Sequence, residues 1–67
     1  MNNHVKALRT ERGLTQQQLA ELLGVSRQTV ISIEGGKYDP SLPLAFRIAR
    51  HLGARIEDIF LPDDDQR

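Results

Sequence analysis

The chain has 67 residues and no cysteine, and its nine basic and nine acidic side chains cancel. This size allows one small domain with a marginal core, and the composition excludes disulfides and thiolate metal sites. No apolar run is long enough to predict a transmembrane helix or a secretory signal. We therefore expect a single domain over residues 1–67 in the cytoplasm, with about residues 62–67 as a frayed acidic tail.

The two halves of the chain differ in charge although the total is zero. Up to Tyr38 there are five basic and three acidic side chains, whereas from Asp39 there are six acidic side chains and four arginines. A basic half that contacts phosphates and an acidic far end are compatible with one nucleic-acid-binding molecule. The zero total predicts modest non-specific affinity for DNA.

The first two helices are predicted from caps and apolar spacing. The first covers about residues 3–12 and ends at Gly13 as its C-cap, with Val5 and Leu8 facing inward. The second starts after the N-cap Thr15, and Gln18 three positions later completes a capping box. The apolar stripe of this second helix is expected to comprise Leu19, Leu22 and Leu23.

Residues 15–34 read TQQQLAELLGVSRQTVISIE, a spacing that predicts a helix-turn-helix. Ala20 is small enough for the third helix to cross closely over the second, and Gly24 supplies the left-handed residue that ends the second helix. Ser26 is the expected N-cap of the next helix, which runs to about Glu34. The apolar face of that helix, which packs back onto the preceding helix, comprises Val30 and Ile33.

The loop GGKYDPS separates these helices from the rest of the chain. A fourth helix opens at Ser41 or Leu42, accommodates Pro43 in its first turn and stops at Gly53. A short fifth helix covers about residues 56–60, and residues 59–61 are the one candidate for an edge strand. The inward face of the fourth helix is expected to comprise Leu42, Ala45, Ile48, Ala49 and Leu52. The sequence thus predicts an all-α fold of five helices.

The outward side of the third helix is polar and carries Arg27, Gln28, Thr29 and Ser32. Arginine and glutamine are side chains that read base edges in the major groove. Two amphipathic helices in an ordinary helical bundle are the alternative interpretation. The agreement of five constrained positions with two caps favours DNA binding.

The stretch LTQQQLAELLGVSRQTVISIEGGKYDPSLPLAFRIARHLGARIEDIF resembles the phage repressor/Cro (Cro/C1-type) helix-turn-helix domain, also called the XRE family. The resemblance covers about residues 5–60 and is specific for the family, but not for an operator or a regulated gene. It implies a compact, lambda-repressor-like domain of five helices that binds DNA as a homodimer, usually to repress transcription. The part from Gly35 onward is similar to small stand-alone bacterial regulators of this family.

The resemblance also implies which residues meet DNA. Gln16 and Gln17 begin the second helix, where unpaired N–H groups and the positive end of the helix dipole favour a phosphate. Lys37 and Tyr38 fall in the loop that follows the DNA backbone in relatives. The positions expected to face the bases are Arg27, Gln28, Thr29, Ile31 and Ser32.

Several of these assignments have open alternatives. Arg27 is suited to a bidentate pair with guanine, and Gln28 to one with adenine. The alternative for Arg27 is that it contacts phosphate and no base. Ser32 is short and is also able to contact a base through water. Ile31 either touches a thymine methyl or is half-buried. Tyr38 either touches phosphate or packs on the fourth helix.

The resemblance further implies a structural pair between Arg9 and Glu34, which would fix the angle of the recognition helix. We interpret this pair as structural, not catalytic. No residue pattern indicates an enzyme, because the chain has no cysteine, no glycine-rich phosphate loop and no arrangement of nucleophile and base. We expect no cofactor and no metal. The acidic run at residues 63–65 is more simply interpreted as solvated charge than as a metal site.

The first three helices are committed to the motif, so the apolar residues after them are candidates for a two-fold interface. Such an interface would place two recognition helices about 34 Å apart, one turn of DNA. The alternative is that Ile56, Ile59 and Phe60 only close the core of the monomer. The interface candidates are Leu44, Phe46, Ile56, Ile59, Phe60 and Leu61.

Together the residue patterns and the resemblance predict a non-enzymatic, sequence-specific DNA-binding protein located with the nucleoid. The resemblance implies a homodimer that represses transcription by occupying a pseudo-palindromic operator. We expect no membrane partner and no small-molecule effector domain. An antitoxin-like protein-interaction module, which would use the C-terminal apolar surface, is the alternative. Loss of basic and amide side chains from the third helix would favour that alternative, whereas this chain has Arg27 and Gln28 there.

Overall fold

A computed structural model describes residues 1–62, in which five helices and two short strands surround one apolar core. In chain order the elements are β1 (Asn2–Asn3), α1 (Val5–Glu11), α2 (Gln16–Leu23), α3 (Arg27–Glu34), α4 (Leu42–Leu52), α5 (Ile56–Ile59) and β2 (Phe60–Leu61). The prediction of a five-helix fold is confirmed. The predicted acidic tail lies outside the described residues, except for Pro62.

The predicted caps account for the starts of three helices. Thr15 and Gln18 form the complete capping box at α2: the Thr15 hydroxyl accepts from the backbone N–H of Gln18, and the Gln18 side chain accepts from that of Thr15. Ser26 caps α3 by accepting from the backbone N–H of Thr29. Ser41 caps α4, which therefore begins at Leu42. These hydrogen bonds satisfy N–H groups that a helix start leaves unpaired.

The first helix is shorter than predicted. Arg12, not Gly13, occupies its C-cap, and the residues before Val5 lie in β1. Strand β1 pairs antiparallel with β2, with Asn2 opposite Leu61 and Asn3 opposite Phe60. The edge strand considered for residues 59–61 therefore exists over Phe60–Leu61, and α5 ends one residue early, at Ile59. The partner strand β1 was not predicted, because a strand of two residues has no periodicity.

Two apolar faces differ from the predicted stripes. On α2 the buried residues are Leu19, Ala20 and Leu23, whereas Leu22 is 48% exposed at the margin of that stripe. On α4 Leu42 is 62% exposed, because it lies in the first turn beyond the part of the helix that the core covers. The buried face of α4 comprises Leu44, Ala45, Ile48, Ala49 and Leu52.

The end of α4 is fixed by a contact from α1. Gly53 terminates the helix with φ 67° and ψ 34°. The Nε atom of Arg12 donates to the carbonyl of Leu52 at 3.0 Å, and the guanidinium lies where a Cβ on Gly53 would be. The left-handed conformation favours glycine at this position, and a side chain there would also displace the guanidinium of Arg12.

Within residues 1–62, none of the helices has the length and apolar character that crossing a membrane would require.

Candidate nucleic-acid interface

The helix-turn-helix is built on one close approach and one tight turn. Ala20 is 1% exposed where α3 crosses α2, and Gly24 ends α2 in the left-handed region at φ 74° and ψ 29°. The backbone N–H of Val25 donates to the carbonyl of Ala20 at 3.0 Å and closes the turn. Val30 and Ile33, each 1% exposed, face inward from α3. The opposite face of α3 is thereby left toward solvent.

Arg27 and Gln28 lie exposed at the start of that outward face. One turn later Ser32 is partly buried, and its carbonyl accepts from the backbone N–H groups of Lys37 at 3.0 Å and Tyr38 at 3.2 Å. These hydrogen bonds fold the loop after α3 back beside the helix. A shallow cleft of about 180 Å³ is lined by Gln28, Thr29, Ser32 and Tyr38. The structure thus brings Tyr38 next to α3, and its side chain is 46% exposed.

Two other predicted base-facing residues are less accessible. The hydroxyl of Thr29 lies 3.0 Å from that of Ser26, so it takes part in the N-cap of α3. Ile31 is half-buried, so only part of its side chain reaches the solvent. Both residues have less freedom to meet a base than Arg27 and Gln28.

A second concave surface lies at the N-terminal ends of α2 and α3. Its volume is about 680 Å³, and its rim includes Gln16, Gln17 and Arg27. Helix N-termini carry unpaired N–H groups and partial positive charge, and Arg27 adds a full one. The Nε2 atom of Gln17 donates to Glu21 at 3.3 Å, within α2. The electrostatics of this surface suit an anion.

The Arg9–Glu34 pair is present and is nearly buried. The Nε atom of Arg9 lies 2.6 Å from Oε2 of Glu34, with side chains 9% and 6% exposed. Arg9 also donates to Oε1 of Glu34 at 3.4 Å and to the carbonyl of Leu14 at 2.8 Å. Gln16 joins this network by donating from Nε2 to Oε1 of Glu34 at 3.1 Å. The network ties α1 and the start of α2 to the end of α3.

Sequence reasoning missed a further contact at the end of α3. The side-chain amide of Asn3, in β1, donates to the carbonyl of Ile33 at 2.8 Å. The amino nitrogen of Met1 donates to the carbonyl of Gly36 at 3.1 Å and lies 3.3 Å from Asp39. Nothing in the local sequence indicates these contacts, because they join the first residues to positions thirty or more residues away.

The residues predicted for the dimer interface fall into a buried group and an exposed or partly buried group. Leu44, Ile59 and Phe60 are 5%, 0% and 8% exposed, so they belong to the core of the monomer. The prediction that Leu44 lies off the inward stripe of α4 is wrong, since this helix buries it in place of Leu42. Phe46 is 53% exposed, and Ile56 and Leu61 are partly buried. An open apolar groove of about 430 Å³ has Leu42, Ala45, Ile56 and Phe60 in its lining.

A surface ion pair lies at the start of α5. The Nε atom of Arg55 donates to Oδ2 of Asp58 at 3.0 Å. This hydrogen bond from Arg55 lowers the pKa of the Asp58 carboxyl and raises the pKa of the guanidinium. Both side chains are exposed, so the pair contributes little to the stability of the fold.

The left-handed turn at Gly24, the close crossing at Ala20 and the polar outward face of α3 define a helix-turn-helix protein. The pattern of the family described as Helix-turn-helix matches residues 5–59, and the chain belongs to this family.

Relatives that are named as transcriptional regulators or repressors match most of this chain. It is 59% identical over 66 residues to an uncharacterized HTH-type transcriptional regulator of Methanocaldococcus jannaschii, covering 98% of this chain and 100% of that protein. It is 41% identical over 59 residues to the immunity repressor protein of Bacillus phage phi105, covering 88% of this chain and 41% of that protein. The relatives are archaeal as well as bacterial.

Solved structures agree with this assignment. The crystal structure of the restriction-modification controller protein C.AhdI from Aeromonas hydrophila superposes with a TM-score of 0.75 and 34% identity, over 84% of this chain and 85% of that one. The predicted phage repressor/Cro-type fold is therefore confirmed. The class is one of transcription regulators, not of enzymes.

Proposed function

We propose that this chain binds double-stranded DNA sequence-specifically as a homodimer, with α3 in the major groove, and regulates transcription. One observation carries the proposal: α3 is held on α2 by its apolar face, while Arg27 and Gln28 stand exposed on the other. A helix presented in this way fits the major groove, where base pairs differ in their donors and acceptors.

Arg27 and Gln28 are the residues that we assign to direct reading of base edges. Both are exposed in the first turn of α3, the part of a recognition helix that penetrates deepest. Ser32, which shares a cleft with Gln28, lies further along the helix and supplies base contacts by hydrogen bond or through water. Thr29 and Ile31 contribute mainly shape, because the hydroxyl of Thr29 is engaged at the cap and Ile31 is half-buried.

Phosphate contacts are assigned to Gln16, Gln17, Lys37 and the hydroxyl of Tyr38. A glutamine amide has two hydrogens, so Gln16 is able to give one to Glu34 and the other to a phosphate oxygen. Because Glu34 is itself held by Arg9, Gln16 is oriented before DNA arrives. The anion-suited surface beside Gln16 supports this assignment.

The dimer is proposed to form through the exposed side of α4 rather than through the whole predicted set. Leu42 and Phe46 lie one turn apart there and are 62% and 53% exposed. Leu42 lines the apolar groove that Ile56 helps to form, whereas Phe46 lies one turn further along α4 at a separate shallow depression. An exposed aromatic side chain and an apolar groove on one helix suit the self-complementary contact of a two-fold dimer. Burial of Leu44, Ile59 and Phe60 makes them supports of this surface.

Repression by occupancy of a promoter is the regulatory mode that we propose, in the cytoplasm and on the nucleoid. The similarity to a phage immunity repressor supports this choice. Occupancy needs only DNA affinity and a dimer, both of which the surfaces described above would supply.

Selection of binding sites from a random duplex library, at near-physiological salt, tests the proposal. Salt is fixed because phosphate contacts make affinity strongly salt-dependent. We expect a pseudo-palindrome whose half-sites lie about 10 bp apart. Arg27→Ala should relax the preference at one position of each half-site, whereas the matched change Arg47→Ala on α4 should not.

Failure to enrich any sequence with folded protein would overturn the proposal. It would favour a protein-interaction module, for which exposed Leu42 and Phe46 are the supporting observation. Enrichment of a single half-site without symmetry would retain DNA binding and reject the dimer.

A further inference from the structure

The residues that precede α1 make a connection across the molecule. Strand β1 pairs with β2 through its backbone, and the N–H of His4 donates to the carbonyl of Ile59 at 2.8 Å. On the other side, the side-chain amide of Asn3 donates to the carbonyl of Ile33 at 2.8 Å. The strand therefore lies between the α5–β2 segment and the last turn of α3.

The carbonyl that Asn3 contacts lies at a sensitive place. The last carbonyls of a helix have no partner within it, and here that of Ile33 also accepts from Gly36 at 3.0 Å. The next residues, Lys37 and Tyr38, return beside α3 by donating to Ser32. Asn3 thus touches the turn from which the loop of Lys37 and Tyr38 departs.

We propose that Asn3 is a positioning residue for DNA recognition, which holds the last turn of α3 and the loop after it against the α5–β2 segment. This inference rests on the proposed function of α3. Asn3 touches no DNA in the proposed complex, and it acts through Ser32, Lys37 and Tyr38. Because β2 adjoins the groove that Phe60 lines, the same strand also links the base-facing helix to the proposed dimer surface.

The side chain of Asn3 has two further contacts, which a test must separate from the one with Ile33. Its amide also donates to the carbonyl of Met1 at 3.2 Å, an exposed contact that loss of the donor removes as well. Its Oδ1 accepts from the backbone N–H of Val5 at 3.1 Å and so helps to start α1. The variant Asn3→Ser retains an oxygen able to accept from Val5, since a serine hydroxyl makes the same turn to the backbone two residues on, although more weakly, but it is too short to reach Ile33. Asn3→Asp also retains the acceptor, removes the donor and places a carboxylate near a carbonyl. The matched control is Asn2→Ser, the same change at the exposed neighbour in the strand.

The first readout is amide hydrogen exchange by NMR on the free protein. Asn3→Ser should accelerate exchange about fivefold at Gly36, Lys37 and Tyr38, in proportion to one lost hydrogen bond, with exchange at core amides such as Ile48 unchanged. Asn3→Asp should do so to at least the same extent, and Asn2→Ser should not. The second readout is affinity for a duplex taken from the random-library selection, which should fall about fivefold in Asn3→Ser.

Three results would overturn the inference. One is equal exchange at residues 36–38 in Asn3→Ser and Asn2→Ser. Another is acceleration at every amide alike, which would mean that Asn3 only supports the start of α1 and the fold as a whole. The third is unchanged duplex affinity despite a loosened loop. Failure of the natural chain to select any duplex would instead reject the proposed function, and the exchange experiment on the free protein distinguishes the two failures.

Discussion

At the scale of single residues, the most consequential feature is the nearly buried pair of Arg9 and Glu34. Two charges removed from water are tolerated only when each is well paired and hydrogen-bonded. Here Glu34 accepts from Arg9 and Gln16, and Arg9 also reaches the carbonyl of Leu14. The pair therefore holds the end of α3 against α1 and orients Gln16.

Removal of the carboxylate should destabilise the fold strongly. In Glu34→Ala the guanidinium of Arg9 stays buried without its counter-ion, and the free energy of unfolding should fall by about 3–5 kcal/mol. Urea denaturation measures this loss, and affinity for a selected duplex should fall with it. Glu21→Ala, at an exposed position on α2, should change stability by less than about 0.5 kcal/mol. Equal stability of the two variants would show that the pair does not support the fold.

The Asp58 carboxyl should titrate below its usual range because Arg55 donates to it. A group whose pKa is lowered in the folded state stabilises the fold above its unfolded pKa, and this contribution is lost as pH falls through the folded pKa. Carbon-detected NMR titration of the carboxyl should show the pKa rising toward its usual value in Arg55→Ala. Arg47→Ala, which removes an arginine elsewhere on the surface, should leave it unchanged. An Asp58 pKa that is the same in all three proteins would contradict the pairing.

At the scale of elements, local signals were sufficient where a cap or turn is made by neighbouring residues. Thr15, Ser26 and Gly24 act within four residues of themselves, so their roles could be predicted from the sequence. Leu42 could not be placed in the same way. It shares the spacing of the buried face, but only the three-dimensional arrangement reveals that its turn extends beyond the core.

The contacts that sequence reasoning missed are all long-range. Strand β1 exists because β2 lies beside it, and Arg12 ends α4 from a different helix. Periodicity describes one element at a time and carries no information about which ends meet. For the site, the outward positions of α3 followed from the same spacing that buries Val30, whereas the engagement of Gln16 by Glu34 depended on tertiary structure.

Two left-handed glycines should respond differently to substitution. Gly24→Ala should cost about 1–2 kcal/mol, the penalty for a side chain in this backbone region, because a Cβ there would meet no atom within 4 Å. Gly53→Ala should cost more, since the Arg12 guanidinium would also have to move. Gly35, whose φ is −80°, provides the control: Gly35→Ala should be nearly neutral. Thermal unfolding measures all three, and a Gly53→Ala as mild as Gly24→Ala would contradict the Arg12 contact.

At the scale of the whole molecule, the exposed apolar residues Leu42 and Phe46 are on α4, whereas the exposed polar residues Arg27 and Gln28 are on α3. Leu42 and Phe46 are exposed over a core that already contains Leu44. A substitution on this surface is therefore able to test association without removing the core. Phe60, which is 8% exposed, is unsuitable for that purpose, because a charge there would enter the core.

Phe46→Glu should convert a dimer into a folded monomer. The charged side chain would lie in the proposed contact, while its position on the isolated domain remains exposed, so the unfolding transition should change little once protein concentration is taken into account. Analytical ultracentrifugation measures the mass. Leu22→Glu is the matched control, because it places the same charge at an exposed leucine on α2. A Phe46→Glu variant that stays as dimeric as Leu22→Glu would reject α4 as the interface.

The pairing of β1 with β2 also has a consequence for the order in which the molecule forms. Asn2 meets Leu61, so this contact closes a loop of nearly the whole described chain, whereas α2 and α3 meet across a short turn. Closing a loop of this length costs conformational entropy, so we expect this contact to form later than the local contacts between helices. Substitutions in β1 should therefore speed unfolding more than they slow folding. We expect the pairing of β1 with β2 to form last on folding and to open first on unfolding, so that Asn3 reaches the last turn of α3 only after Asn2 and Leu61 have paired.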